Sequence, residues 1–139
     1  MDFERAMENC ALRVTGQRRE LYHLMHDIRP RHFTAGQLHV SALERGIKVS
    51  LATVYNTIKT FELAGLVRNI AIHDHLSVYD TEIKPHAHLY NEATGEISDL
   101  DSTLLEELNI KVPDEYEISG LHLVFRVTRR PSHADSSNK

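Results

Sequence analysis

The chain has 139 residues, 26% charged and 41% hydrophobic, with a formal net charge of −4, an ordinary soluble balance for one domain or two small ones. No apolar run approaches the roughly 18 residues of a membrane span, and Met1 to Cys10 lack a signal-peptide core, so a cytoplasmic protein without membrane contact is expected. A single cysteine, Cys10, excludes an internal disulfide and a Cys-x-x-Cys zinc knuckle, which leaves histidine, aspartate and glutamate as metal ligands.

From the N-terminus, Phe3 to Leu12 places Phe3, Ala6, Met7 and Cys10 at helical spacing, and Cys10 is expected to pack as a small apolar side chain. Thr15 can cap a second helix through about His26, with Leu21, Leu24, Met25 and Ile28 inward and Pro30 as its stop. Thr34-Ala35-Gly36-Gln37 has capping-box form and opens a third helix, which carries Leu38, Ala42 and Leu43 and ends at Gly46. Ser50 can cap a fourth, Leu51 to Ala64, whose core stripe is expected to be Leu51, Val54, Ile58, Phe61 and Leu63, with Gly65 at C′. Leu66 to Ile72 and His75 to Tyr79 then predict two strands around a His73-Asp74 turn.

Three short helices, a fourth beginning Ser-Leu-Ala-Thr-Val-Tyr-Asn and a hairpin form the order of a winged helix. In that arrangement the last helix offers its N-terminal residues to the DNA major groove. Ser50, Thr53, Tyr55, Asn56 and Lys59 form the exposed set, supplying groups for phosphates and base edges and a ring for a thymine methyl. The pattern alone also describes a helix that is merely well capped. Charge is divided along the chain: residues 1–70 hold ten Lys/Arg against seven Asp/Glu, and residues 71–139 hold six against thirteen. The first half suits a polyanion and the second suits cations.

The stretch from Tyr79 to Asp99 concentrates metal-binding chemistry. His86 and His88 are two apart, so on a strand their side chains leave one face. Thr94-Gly95 reads as a tight turn that returns Asp99 alongside the two imidazoles, with Asp80 just upstream. Imidazole and carboxylate together suit divalent iron, manganese or zinc. Spacing alone leaves open a solvent-exposed histidine-rich hairpin.

Leu12-Arg13-Val14-Thr15-Gly16-Gln17-Arg18, Ser50 to Tyr55, Ala64-Gly65-Leu66-Val67, Tyr79-Asp80 and His86-Ala87-His88, taken together, resemble the ferric uptake regulator family over roughly residues 3 to 128. The resemblance implies an α+β protein: an N-terminal winged-helix DNA-binding domain (1–80), a hinge (81–84) and a small C-terminal α/β dimerisation and metal-sensing domain (85–131). Composition adds a disordered tail, 132–139. The resemblance further implies a homodimeric repressor of double-stranded operator DNA, not an enzyme. Fe(II) or Mn(II) would be held by His32, Asp80, His86, His88 and Asp99, and Arg13 would reach the minor groove or backbone.

Asp99 resembles the peroxide-responsive branch of that family, in which Fe(II) drives oxidation of histidines at the positions of His32 and His86. Asn91, Thr94 and Arg129-Arg130-Pro131 stand where most members have two cysteine pairs, so no structural zinc is expected. The dimer would rest on the strand Leu121 to Val127 and the helix around Leu104, Leu105 and Leu108. Glu106 and His122 remain of a second metal site. The alternatives are an iron-responsive regulator, a haem-type iron-response regulator, and a small metalloenzyme that activates water at an open metal position. Pro85-His86-Ala87-His88 lacks the three consecutive histidines of the haem-type branch.

Overall fold

The computed structural model describes residues 2–29, 31–73, 75–101 and 103–131. The Pro30 helix stop, the Asp74 part of the hairpin turn and the 132–139 tail lie outside the described residues, as does the Leu104 side chain. The chain divides into two compact units, Met1–Lys84 and Pro85–Lys139. Among the described residues no helix is long and apolar enough to cross a membrane.

The first unit runs α1 (Phe3–Asn9), α2 (Gly16–Asp27), β1 (His32–Phe33), α3 (Ala35–Glu44), α4 (Leu51–Leu63), β2 (Arg68–His73) and β3 (Leu76–Asp80). Three helices start on hydroxyl caps: the Thr15, Thr34 and Ser50 side chains accept from the backbone N–H groups of Arg18, Gln37 and Thr53. Gln37 completes the capping box by accepting from the Thr34 N–H, so the first orphan donors of α3 are satisfied locally. α1, α3 and α4 end alike, with a left-handed residue at C′ and paired backbone bonds to the last turn. Gly46 and Gly65 fill that position in two of them, and Ala11, at φ 54°, fills it in α1.

Apolar faces of the helices meet in one core that includes Met7, Leu21, Leu24, Met25, Phe33, Leu38, Val54, Ile58 and Phe61. Two expectations about α4 are corrected here. Leu63 is 73% exposed and Leu51 is 41% exposed, while Thr57 is buried with Val54, Ile58 and Phe61. At 100° per residue Leu63 stands opposite Val54, and Leu51 lies in the opening turn, beyond the packed stripe. Leu43 is exposed for the same angular reason. Cys10 is corrected as well: α1 stops at Asn9, and Cys10 is its exposed C-cap, with Sγ 3.4 Å from the Leu63 carbonyl oxygen.

The wing is a three-stranded antiparallel sheet in the order β1-β3-β2. Its third strand, β1, escapes sequence reading because two residues carry no periodicity. Pairing with β3 creates it.

The second unit is built on β4 (Ala87–Asn91), β5 (Ile97–Leu100), α5 (Thr103–Glu106) and β6 (Leu123–Val127), with sheet order β5-β4-β6. β4 and β5 form the expected antiparallel hairpin, and Gly95 adopts the left-handed conformation its turn requires. β6 joins β4 in parallel and forms an outer strand of the sheet. Helices and sheets together give the expected α+β class.

Candidate metal centre and DNA-facing surface

In the first unit His32 and Asp80 are Cα partners across β1 and β3, and His32 Nε2 lies 3.3 Å from Asp80 Oδ2. Both residues are buried, Asp80 to 1% exposure. Asp80 is held at its other oxygen, where Oδ1 accepts the Glu82 N–H at 2.8 Å. Glu82 in turn accepts the Lys84 N–H through Oε1 and places Oε2 3.7 Å from Arg31. One carboxylate oxygen is thus committed to the backbone and one faces an imidazole. Glu82 was not singled out from sequence, although Asp-Thr-Glu has the i, i+2 spacing of an Asx turn.

In the second unit β4 and β5 place His88 opposite Asp99. Asp99 Oδ1 lies 3.0 Å from His86 Nε2 and 3.5 Å from His88 Nε2. The two imidazole rings are 4.3 Å apart, and all three side chains offer ligand atoms within 4.8 Å of one another. His86 and His88 are buried, and the Asp99 side chain is 39% exposed. His86 precedes β4 rather than lying in it, yet the two rings still converge. Two imidazole nitrogens and a carboxylate oxygen that converge repel unless protons or a cation lie between them. A divalent ion satisfies all three lone pairs at once, so the donor set fits one.

Glu106 ends α5 and His122 precedes β6, and neither joins a cluster of three possible ligands among the described residues. At the hairpin tip, Asn91 Oδ1 accepts from the Ala93 and Thr94 N–H groups, and Thr94 Oγ1 accepts from Glu96. The turn is therefore closed by side-chain hydrogen bonds from Asn91 and Thr94.

The profile of the ferric uptake regulator family matches residues 9–127. The chain belongs to that family. Members of the family are metal-responsive transcription regulators rather than enzymes, so the metalloenzyme alternative is set aside. The ferric uptake regulation protein of Rhizobium leguminosarum is 31% identical over 114 residues, spanning 81% of this chain and 78% of that protein. Among solved structures, the ferric uptake regulator from Pseudomonas aeruginosa with manganese superposes with a TM-score of 0.79 at 25% identity, covering 94% of this chain and all of that one. The Campylobacter jejuni peroxide stress regulator shares the fold at a TM-score of 0.65 and 23% identity, covering 94% and 98%.

In this ferric uptake regulator family member the N-terminal end of α4 is open to solvent. Ser50, Tyr55, Asn56 and Lys59 are exposed and Thr53 is half-buried. Thr53 and Asn56 line a cleft with Arg13, Thr15, Gln17, Arg18 and Thr57. Arg13 is exposed in the loop before α2, and the Arg18 guanidinium donates to its carbonyl. Arg18 was not identified by sequence reading, because a long-reaching side chain bonding to a loop carbonyl leaves no periodic signal.

Proposed function

We propose that the protein is a homodimeric repressor whose binding to operator DNA is switched by one Fe(II) or Mn(II) ion. The ion would be held by His32 and Asp80 of the first unit and by His86, His88 and Asp99 of the second. The observation that carries this reading is the presence of two half-sets, one on β1 and β3 and one on β5 and the start of β4 with His86 just before it, each with a carboxylate oxygen facing imidazole nitrogen. Neither half-set supplies enough donors to close a coordination shell. An ion shared between them would fix the relation of the wing to the second unit, and so match two winged helices to two half-sites.

Ser50, Thr53, Tyr55, Asn56 and Lys59 then read the major groove, and Arg13 reaches the minor groove or the backbone. A second copy would cover the second unit's exposed apolar surface. Ile110, Tyr116 and Ile118 are exposed there, and Phe125 and Val127 lie on the outer strand β6, whose edge can pair with another chain. With Asn91 closing the hairpin and Cys10 in the other unit, no cysteine-held zinc is needed for that fold.

The signal we favour is peroxide, because aspartate is a short carboxylate and Asp99 stands at the solvent-accessible side of its cluster. Bound Fe(II) would activate peroxide there, so that one peroxide oxygen would be inserted at an imidazole C–H of His32 or His86, the targets that the family resemblance implies, and the other would leave as water. An iron-responsive switch on the same ligands is the second reading, favoured by the names of the curated relatives.

A gel shift with genomic DNA fragments in Mn(II) and then in chelator tests the switch. Retardation that needs the metal is expected, and equal retardation in both conditions overturns it. Mass spectrometry of the Fe(II)-loaded chain after mild peroxide separates the signals, because a gain of one oxygen on His32 or His86 marks peroxide sensing.

A further inference from the structure

Lys48 and Val49 immediately precede Ser50, the cap of α4, and their carbonyls are gripped from two different helices. His39, half-buried on α3, places Nε2 2.9 Å from the Val49 carbonyl oxygen. Gln17, in the first turn of α2, donates from Nε2 to the Lys48 carbonyl at 3.3 Å. An imidazole nitrogen that faces a carbonyl oxygen must carry its proton there, so His39 is the donor. The segment these bonds hold begins at Gly46, whose φ of 77° makes the bend between α3 and α4. Side by side with Gln17, Arg18 holds the Arg13 carbonyl. Consecutive residues of α2 thereby restrain both segments that present DNA-facing side chains.

We propose that Gln17 and His39 are positioning residues for sequence reading, which clamp the Lys48-Val49 dipeptide and so set where α4 begins in the groove. The proposal rests on the reading of this chain as a DNA-binding regulator. Neither side chain needs to touch DNA. Phosphate contacts tolerate small displacements, whereas hydrogen bonds to base edges do not. Loosening the dipeptide should therefore cost discrimination between sequences and spare sequence-independent binding.

The test first selects a duplex from a random-sequence pool with the unmodified full chain in Mn(II). Affinity for that duplex is then compared with affinity for a scrambled one in His39→Phe, Gln17→Leu, the double variant and His39→Gln. The ratio should fall roughly tenfold in His39→Phe, the scale of one misplaced base contact, and further in the double variant. In the two His39 variants, affinity for the scrambled duplex, its salt dependence and Mn(II) uptake should not change, and His39→Gln, which keeps an N–H donor, should recover part of the ratio. Gln17 is exposed, so Gln17→Leu decides the matter if His39→Phe does not fold. Unchanged ratios, or equal losses on both duplexes, overturn the proposal. A parent chain that enriches no sequence overturns the regulator reading itself.

Discussion

His32 stands directly across the β1–β3 ladder from Asp80, with Nε2 3.3 Å from Oδ2, and both side chains are buried. A buried carboxylate stays ionised only with a cation or strong donors beside it. Asp80→Asn keeps an oxygen for the Glu82 N–H and preserves shape, but it removes the charge. Mn(II) affinity measured by calorimetry should drop by more than the roughly 10- to 100-fold typical of outer-shell changes. Unchanged affinity would remove Asp80 from the ligand set.

Asp99 tests the signal. Asp99→Glu keeps a carboxylate but lengthens it by one methylene, changing its approach to His86 and His88. Metal-dependent DNA binding should survive, while peroxide-driven oxygen gain on His32 and His86 in the Fe(II)-loaded chain should be mostly lost. Oxidation at the parental rate would instead favour the iron-responsive reading.

Tyr55 and Arg13 should separate in their effects on DNA. Tyr55 is 45% exposed near the start of α4, so Tyr55→Ala should relax sequence preference by about 1 to 3 kcal/mol. Arg13→Ala should weaken binding to all sequences alike and flatten the salt dependence. Gel shifts on matched and scrambled duplexes at two salt concentrations distinguish the two patterns.

Burial raises the Glu62 carboxyl above its ordinary value, against a smaller opposing pull from Lys59. The folded state therefore binds this proton more tightly than the unfolded chain does. The resulting stability is full below the ordinary carboxylate range and is lost as pH rises through the folded value. Glu62→Gln should be the more stable form near neutral pH and should lose its advantage at about pH 4, where the parent carboxyl is protonated. Urea unfolding at both pH values checks this, and a neutral-pH loss in the variant contradicts it.

Ala11 closes α1 at φ 54°, a conformation that costs a residue with a Cβ. Ala11→Gly should stabilise the chain by roughly 0.5 to 1 kcal/mol, the left-handed penalty less glycine's extra unfolded-state entropy. A higher urea midpoint at unchanged slope is the expected result. A lower midpoint would show that the alanine methyl contributes contacts that outweigh the strain.

Where an element is encoded by its own neighbours, the sequence alone determined it. Thr15, Thr34 and Ser50 cap their helices through bonds three residues away, and Gly46, Gly65 and Gly95 take left-handed turns that glycine permits without strain. The return of Asp99 to His88 followed from strand alternation and one turn, all within a single hairpin. Tertiary structure decided what depends on distant partners. β1 exists only as a neighbour of β3, and that pairing is what brings His32 to Asp80. Packing, not hydrophobicity, buried Thr57 and left Leu63 and Leu51 in solvent, because the core covers only one angular sector of α4, opposite Leu63, and does not reach the opening turn that holds Leu51. The hold of Gln17 and His39 on Lys48 and Val49 was equally invisible, since hydrogen bonds to main-chain carbonyls across the fold impose no period on the sequence.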